Sequence, residues 1–316
     1  MKTFLNDLKN ELVKRNVSEE EIEDILRDHE EMIAEAMREG LKEEDIHLRF
    51  GEPKALAREL ASNVEGEEEK PEESGFKLWK SVSPVDNKIA IYVSMVSQDV
   101  TYQTSNDDQI RIYSDGTDDL KDYQFKYDKG ELRLEAPKMR GFLFMRNKND
   151  DMSFLVEIPK SLTIESFKHS SVSADVNYTN LDANDFQLNT TSGDAELSHA
   201  QFNVLKINTV SGDFHVSHIT CDTAETSQVS GDLNMENVTI NGLLHAGTVS
   251  GDIVISDSVT EDAEFSCVSG DVEGIEFYPK TIKFKSVSGD LDIKNKDRKE
   301  IKLIKTNTLS GEINIQ

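Results

Sequence analysis

From about residue 164 to the C-terminus, apolar and polar positions alternate with period two, and the alternation itself returns about every 19 residues. A Ser-Gly-Asp tripeptide punctuates each return. Clear copies stand at Ser192-Gly193-Asp194, Ser211-Gly212-Asp213, Ser230-Gly231-Asp232, Ser250-Gly251-Asp252, Ser269-Gly270-Asp271 and Ser288-Gly289-Asp290. Ser173-Ala174-Asp175 is a degenerate first copy and Ser310-Gly311-Glu312 an altered last one. With each serine counted as zero, positions +3 and +5 are mostly apolar, as in Phe214 and Val216 or Ile253 and Ile255. Positions −6 and −4 behave alike, as in Leu205 and Ile207 or Ile282 and Phe284. Position −1 adds Val172, Val210, Val229, Val249, Val268 and Val287 to the apolar set, with Thr191 and Leu309 as variants. Such alternation predicts two short strands per repeat with one face buried. Between them, Gly reaches conformations a Cβ forbids, while Ser and Asp hydrogen-bond neighbouring amides, so the tripeptide reads as a tight corner. A second, polar corner lies at +7, where Asn180, His199, His218, Asn237, Asp257, Glu276 and Asn295 stand.

A fixed short period without a helical segment means that one unit stacks on the next. The expected fold is mainly β with an α N-terminal module: a parallel β-solenoid (β-helix) of about eight 19-residue rungs, with a small helical domain. Rungs spaced by roughly 4.8 Å make a column on the order of 40 Å long. These Val-Ser-Gly-Asp repeats resemble the bacterial adhesin-like repeat domain of LiaG-like and YvlB-like proteins. The resemblance runs from about Ile164 to the C-terminus.

Residues 1–62 follow a helical period. Phe4, Leu5, Leu8 and Leu12 form one stripe, and Ile22, Ile25, Leu26, His29, Ile33 and Ala36 another. Ser18 and Glu21 make a capping box for the second helix, Gly40 its stop, and Pro53 fits the first turn of a last helix. The capped helix and the Phe50-Gly51-Glu52-Pro53 run resemble HAAS or SHOCT-like modules. That resemblance implies docking to envelope or membrane-associated partners. Residues 63–75 are acidic and carry Pro71, which predicts an extended linker. Residues 76–163 are strand-rich without the 19-residue period and are expected to cap the column or form irregular first rungs. Asp128-Lys129-Gly130 reads there as a hairpin turn. The chain's last strand has no capping sequence after it, so the C-terminal edge is expected to be open to self-association.

Charge narrows the partners. The net charge of −26 is spread as −12 over residues 1–75 and −14 over the rest, so the chain repels nucleic acid and anionic lipid at long range. No stretch approaches the ~20 apolar residues of a membrane span, and the N-terminus lacks the continuous apolar core of a signal peptide. Cys221 and Cys267 occupy different repeat phases and fit a reducing compartment. Together these features predict a cytoplasmic protein, peripheral to the membrane only through a partner.

Candidate chemistry is sparse. Asp194, Asp213, Asp232, Asp252, Asp271 and Asp290 form a column that either caps its own corners or, as the alternative, gathers hard cations. His199 and His218 share the +7 phase and are expected to stack on adjacent rungs, read either as ordinary corner residues or, with Asn237 and Asp257 above them, as a metal site. Lys138, Arg140, Phe142, Phe144 and Arg146 form a basic, apolar island in an acidic chain, read either as a docking loop or as buried strand ends. His29, Glu30 and Met32 mark the candidate docking face of the helical module. No catalytic motif, phosphate loop or cofactor-binding pattern occurs. The sequence therefore points to a non-catalytic interaction scaffold, and the family resemblance suggests an envelope stress-response setting. The alternatives are an adhesin-like glycan- or cation-binding solenoid and, behind it, a carbohydrate-active enzyme.

Overall fold

The computed structural model describes residues 75–116, 120–137, 152–297 and 300–316, and in the N-terminal segment residues 4, 5, 8, 9, 12, 22, 25–27, 29, 33, 38 and 53. The chain falls into two compact units, Met1–Glu72 and Glu73–Gln316. In the first unit every described residue is helical. Phe4, Leu8 and Leu12, each one helical turn apart, are buried with Ile22 and Ile33, while Leu5, Ile25 and Leu26 pack against them.

The second unit is a β-solenoid built from the alternation read above. Its strands begin with β1 (Lys77–Val82), β2 (Lys88–Ser94), β3 (Asp99–Ser105), β4 (Ile110–Ser114), β5 (Gln124–Asp128), β6 (Glu131–Glu135) and β7 (Ser153–Pro159). The repeats follow as β8 (Thr163–Ser173), β9 (Val176–Thr179), β10 (Ala183–Ser192), β11 (Ala195–Ser211), β12 (Phe214–Ser230) and β13 (Leu233–Glu236). The column ends with β14 (Thr239–Ser250), β15 (Ile253–Cys267), β16 (Val272–Ser286), β17 (Leu291–Lys294), β18 (Lys302–Thr308) and β19 (Ile313–Ile315).

All repeat pairings are parallel and keep the corners aligned, with bulges between Cys221 and Ala224, Ile240 and Leu243, and Ile282 and Lys283. Ser192 pairs with Ser173 and Ser211, and Ser230 with Ser211 and Ser250. Because the side-chain period is two, this register stacks every inward column on itself. Phe186, Leu205, Ala224 and Leu244 succeed one another in one column, and Leu197, Val216, Met235 and Ile255 in another, all buried.

The strands β1–β7 both extend and close the column. β2 and β3 form a complete rung beneath the first repeat, pairing in parallel with β8 and β9. β6 and β7 form a rung below that, parallel to β2 and β3. Spatial order therefore departs from chain order. β5 pairs antiparallel with β6, β4 with β7 and β1 with β4, so the lower end is covered by reversed strands. Lys129 and Gly130, with φ of 51° and 75°, make the β5–β6 hairpin turn that the sequence predicts. At the other end β18 and β19 each pair with one strand among the described residues, β16 and β17 respectively.

The second corner lies at the predicted +7 phase. Asn180, His199, His218, Asn237, Asp257 and Glu276 all have φ between 47° and 58°, the left-handed region where short polar side chains cost least. One expectation is overturned. The −1 valines do not join the buried face: Val172, Val210, Val229, Val249, Val268 and Val287 are 44–51% exposed. Parity explains it, since −6 and −4 point inward and −1 must point outward. The inward place at −2 belongs to Ser171, Thr190, Thr209, Gln228, Thr248, Cys267 and Ser286, which are buried. Thr190 and Thr209 each donate from Oγ1 to the carbonyl of the serine two residues on, at 2.9 and 3.2 Å, and so line the inside of the corner.

Candidate interaction surfaces

The aspartate column is a hydrogen-bonded ladder. Oδ1 of Asp175 accepts the backbone N–H of Asp194 at 2.8 Å, Asp194 that of Asp213 at 2.9 Å, and Asp213 that of Asp232 at 2.8 Å. Asp232, Asp252 and Asp271 accept from Asp252, Asp271 and Asp290 at 2.8, 2.9 and 2.8 Å, and Asp290 accepts from Glu312 at 2.8 Å. In return the carbonyl of each upper residue accepts from the lower rung, as Asp232 O does from Phe214 N at 2.9 Å. Every corner is thus tied to the next by a reciprocal pair. Carboxylates repeating at roughly 4.8 Å repel one another, but charge-assisted bonds to N–H groups offset that cost.

The ladder starts earlier than the repeats reveal. Asp99 Oδ1 accepts from Asp175 N at 2.8 Å, and Asp115 Oδ1, on the covering strands, accepts from Ser153 N at 2.7 Å. Val96-Ser97-Gln98-Asp99 is the corner of the β2–β3 rung, a Val-Ser-Gly-Asp with Gln in place of Gly. The Gln98 side chain folds back so that its Oε1 accepts from Val96 N and Ser97 N at 3.3 and 3.4 Å. Partial burial of Asp99 itself, with the Asp175 and Asp115 carboxylates nearby, raises its carboxyl above the ordinary value. The tetrapeptide was the sequence signal for this rung.

Why the corner needs glycine is a matter of distance. A Cβ at Gly193, Gly212, Gly231, Gly251, Gly270, Gly289 or Gly311 would lie 2.0–2.3 Å from the carbonyl oxygen of the residue stacked beneath it. Alongside the ladder runs an open groove of about 520 Å³, lined by Asp99, Asp175, Asp194, Asp213, Glu196 and His215 among others. It is acidic on one bank and mixed polar on the other. Among the described residues no three His, Cys, Asp or Glu side chains converge as a metal ion would require. The ladder aspartates are instead arranged in line, each with one oxygen occupied.

His199 and His218 do stack, with ring centroids 4.6 Å apart and planes within 4°. The free thiols of Cys221 and Cys267 are buried, which pushes them up to about 12 and about 11. A polar knot absent from the sequence reading lies inside the lowest repeat rungs. Tyr102 Oη lies 2.8 Å from Nδ1 of His169, and both are fully buried beside Tyr178. Burial holds His169 down to about 3, so the ring is neutral, and it lifts both tyrosines well above their ordinary range. On the helical unit, His29 is half-buried and its Nδ1 donates to Ile25 O at 2.8 Å. Glu30, Met32, Lys138, Arg140, Phe142, Phe144 and Arg146 lie outside the described residues, as do the capping-box pair and all of the acidic segment before Gly75.

Comparison with known proteins places this architecture. The model of the Toastrack DUF4097 family matches residues 87–273 and 202–316, and the HAAS model matches residues 3–59. Among solved structures, a Parabacteroides distasonis protein described as a candidate lipid binder is similar with TM-score 0.55 and 16% identity, over 77% of this chain and 98% of its own. A Bacteroides fragilis candidate adhesin gives TM-score 0.48 and 19% identity, over 76% and 97%. A second Parabacteroides distasonis protein, also a candidate adhesin, gives 0.48 and 14% over 76% and 97%. No curated protein matches the chain. No helix among the described residues is long and apolar enough to cross a membrane. The Toastrack match takes in the rung built on Asp99 as well as every Ser-Gly-Asp repeat, and with it the chain belongs to the Toastrack DUF4097 family.

Proposed function

We propose that this protein is a non-catalytic interaction scaffold, in which the HAAS unit docks a partner and the solenoid presents a long repetitive face. The observation that carries the reading is the use of the repeat's polar chemistry. Each ladder aspartate spends an oxygen on the next rung's N–H, so the most repeated charged group in the chain serves stacking. Rigid columns of this kind are surfaces and spacers. The partner class we assign is a membrane-associated protein of an envelope stress response, met from the cytoplasmic side. His29, Glu30 and Met32 form the proposed docking face, with Lys138, Arg140, Phe142, Phe144 and Arg146 as a second contact. The upper edge at β18 and β19 is a further place for a strand of a partner or another copy.

The test is in-cell crosslinking with affinity purification of the full chain and of a version lacking residues 1–72. Membrane or envelope-stress proteins recovered only with the full chain support the reading. Recovery unchanged by the deletion moves docking to the solenoid. Recovery of nothing by either refutes the scaffold and favours glycan or cation binding along the acidic groove, to be followed by titration.

A further inference from the structure

The outward valines form a ridge. Val172, Val210, Val229, Val249, Val268 and Val287 stand 44–51% exposed, and Leu309 at the upper end of the same column is 84% exposed. The parallel register brackets them, with Thr209 against Gln228 and Thr248 and with Ser211 against Ser230 and Ser250, so they stack rung upon rung. Only Thr191 interrupts the apolar run. The columns on either side carry no charge through most of the ridge: Ser at position 0, and Ser170, Asn189, Asn208, Ser227, Gly247 and Ser266 at −3. An uncharged apolar stripe in a chain of net charge −26 calls for an explanation.

We infer that this ridge is the contact between two copies of the chain, set antiparallel about a two-fold axis near Val229 and Val249. Three arguments select a second copy as the occupant. The first is period. Ridge side chains recur at about 4.8 Å, whereas a helix laid along them repeats at about 5.4 Å and a strand at about 6.6 Å on one face. Over the length of the ridge a helix would slip by nearly a rung, so only another solenoid keeps step. Valines offset by half a rung then interdigitate as identical side chains do in a dry zipper. The second is area. Half-exposed valines leave roughly 60–80 Å² each, so the ridge offers roughly 500 Å² per copy and about 1,000 Å² per pair, the threshold for a specific interface. It also matches the largest apolar patches that monomers leave uncovered, about 300–600 Å². The third is charge. The ridge is the strip on which self-repulsion between two acidic chains is least, and it lacks the aromatic and basic residues that hold a protein on a lipid surface.

This contact is independent of what the HAAS unit binds. Sedimentation velocity of the full chain, from about 1 µM to a few hundred µM in about 0.5 M NaCl, tests it, since salt of that strength screens the net charge. The expected result is a reversible dimer that strengthens with salt. V229S/V249S should weaken it at least tenfold while its thermal melt stays with the wild type. V229T/V249T, which copies the hydroxyl already tolerated at Thr191, gives the same direction without threat to the fold. L303K/I304K, which guards the upper edge with charge, should leave the dimer unchanged. A chain that stays monomeric throughout overturns the proposal. So does a dimer abolished by L303K/I304K and indifferent to the valine variants, which would place the copies edge to edge. A monomer that binds phosphatidylcholine vesicles, and loses them in V229S/V249S, assigns the ridge to lipid instead.

Discussion

Replacing Gly231 with Ala tests the central claim that the Ser-Gly-Asp period is a distance requirement between rungs. The added Cβ would sit 2.2 Å from Gly212 O, 2.8 Å from its carbonyl carbon and 3.0 Å from its nitrogen, where ordinary contact begins at 3.4 Å. The corner must therefore open by about 1 Å. Two bonds there cannot survive that opening: Asp232 N to Asp213 Oδ1 at 2.8 Å and Phe214 N to Asp232 O at 2.9 Å. At about 1 kcal/mol net each, with a further 1–3 kcal/mol for a side chain at φ of 107°, the cost is about 3–5 kcal/mol. Gly247 supplies the control. It lies in the next rung's strand, and a Cβ there would meet nothing nearer than 3.6 Å. Gly247→Ala should stabilise by about 0.5–1 kcal/mol, because glycine inside a strand is entropically unfavourable. Guanidinium unfolding of both variants, followed by strand circular dichroism, reads the difference. Since repeat arrays can unfold in parts, the slope as well as the midpoint must be compared. Equal stabilities for the two alanine variants would refute the reasoning.

Other expectations follow from the same geometry. His169 has a folded-state value of about 3 against about 6.5 unfolded, so its contribution is intact above pH 6.5 and lost as pH falls toward 3. At pH 5 the loss is about 2 kcal/mol, and the wild type should lose that much relative to His169→Leu between pH 7 and pH 5 in thermal or denaturant melts. Asp232→Ala removes the acceptor for Asp252 N and should cost about 1 kcal/mol, whereas Asp232→Asn, which keeps an acceptor oxygen, should cost less; urea unfolding separates them. Cys221 and Cys267 should resist a thiol reagent in the native chain at pH 8 and both react once it is unfolded, because burial raises both thiols.

Periodicity alone determined a great deal of this protein. Six Ser-Gly-Asp corners, with a Ser-Ala-Asp before them and a Ser-Gly-Glu after, at a near-constant step require stacked rungs, and period two within each step requires strands with one inward face; the fold realises both. The +7 corner was legible because Asn, Asp and His are the side chains that tolerate the left-handed backbone found there. What the sequence could not decide depends on contacts between distant segments. The rung at β2 and β3 lies next to β8 in space and about 75 residues before it in the chain, and no local pattern records that the β6–β7 rung slips beneath it. The side on which a column faces is likewise a matter of parity relative to a corner, which is why the valines could be grouped with the core until the register was known. Glycine at the corner looked like conformational freedom, and Gly193, Gly212 and Gly231 do have positive φ. Its fuller reason is a carbonyl 2.0–2.3 Å from where a Cβ would be, and that distance exists only once one rung has been laid on another.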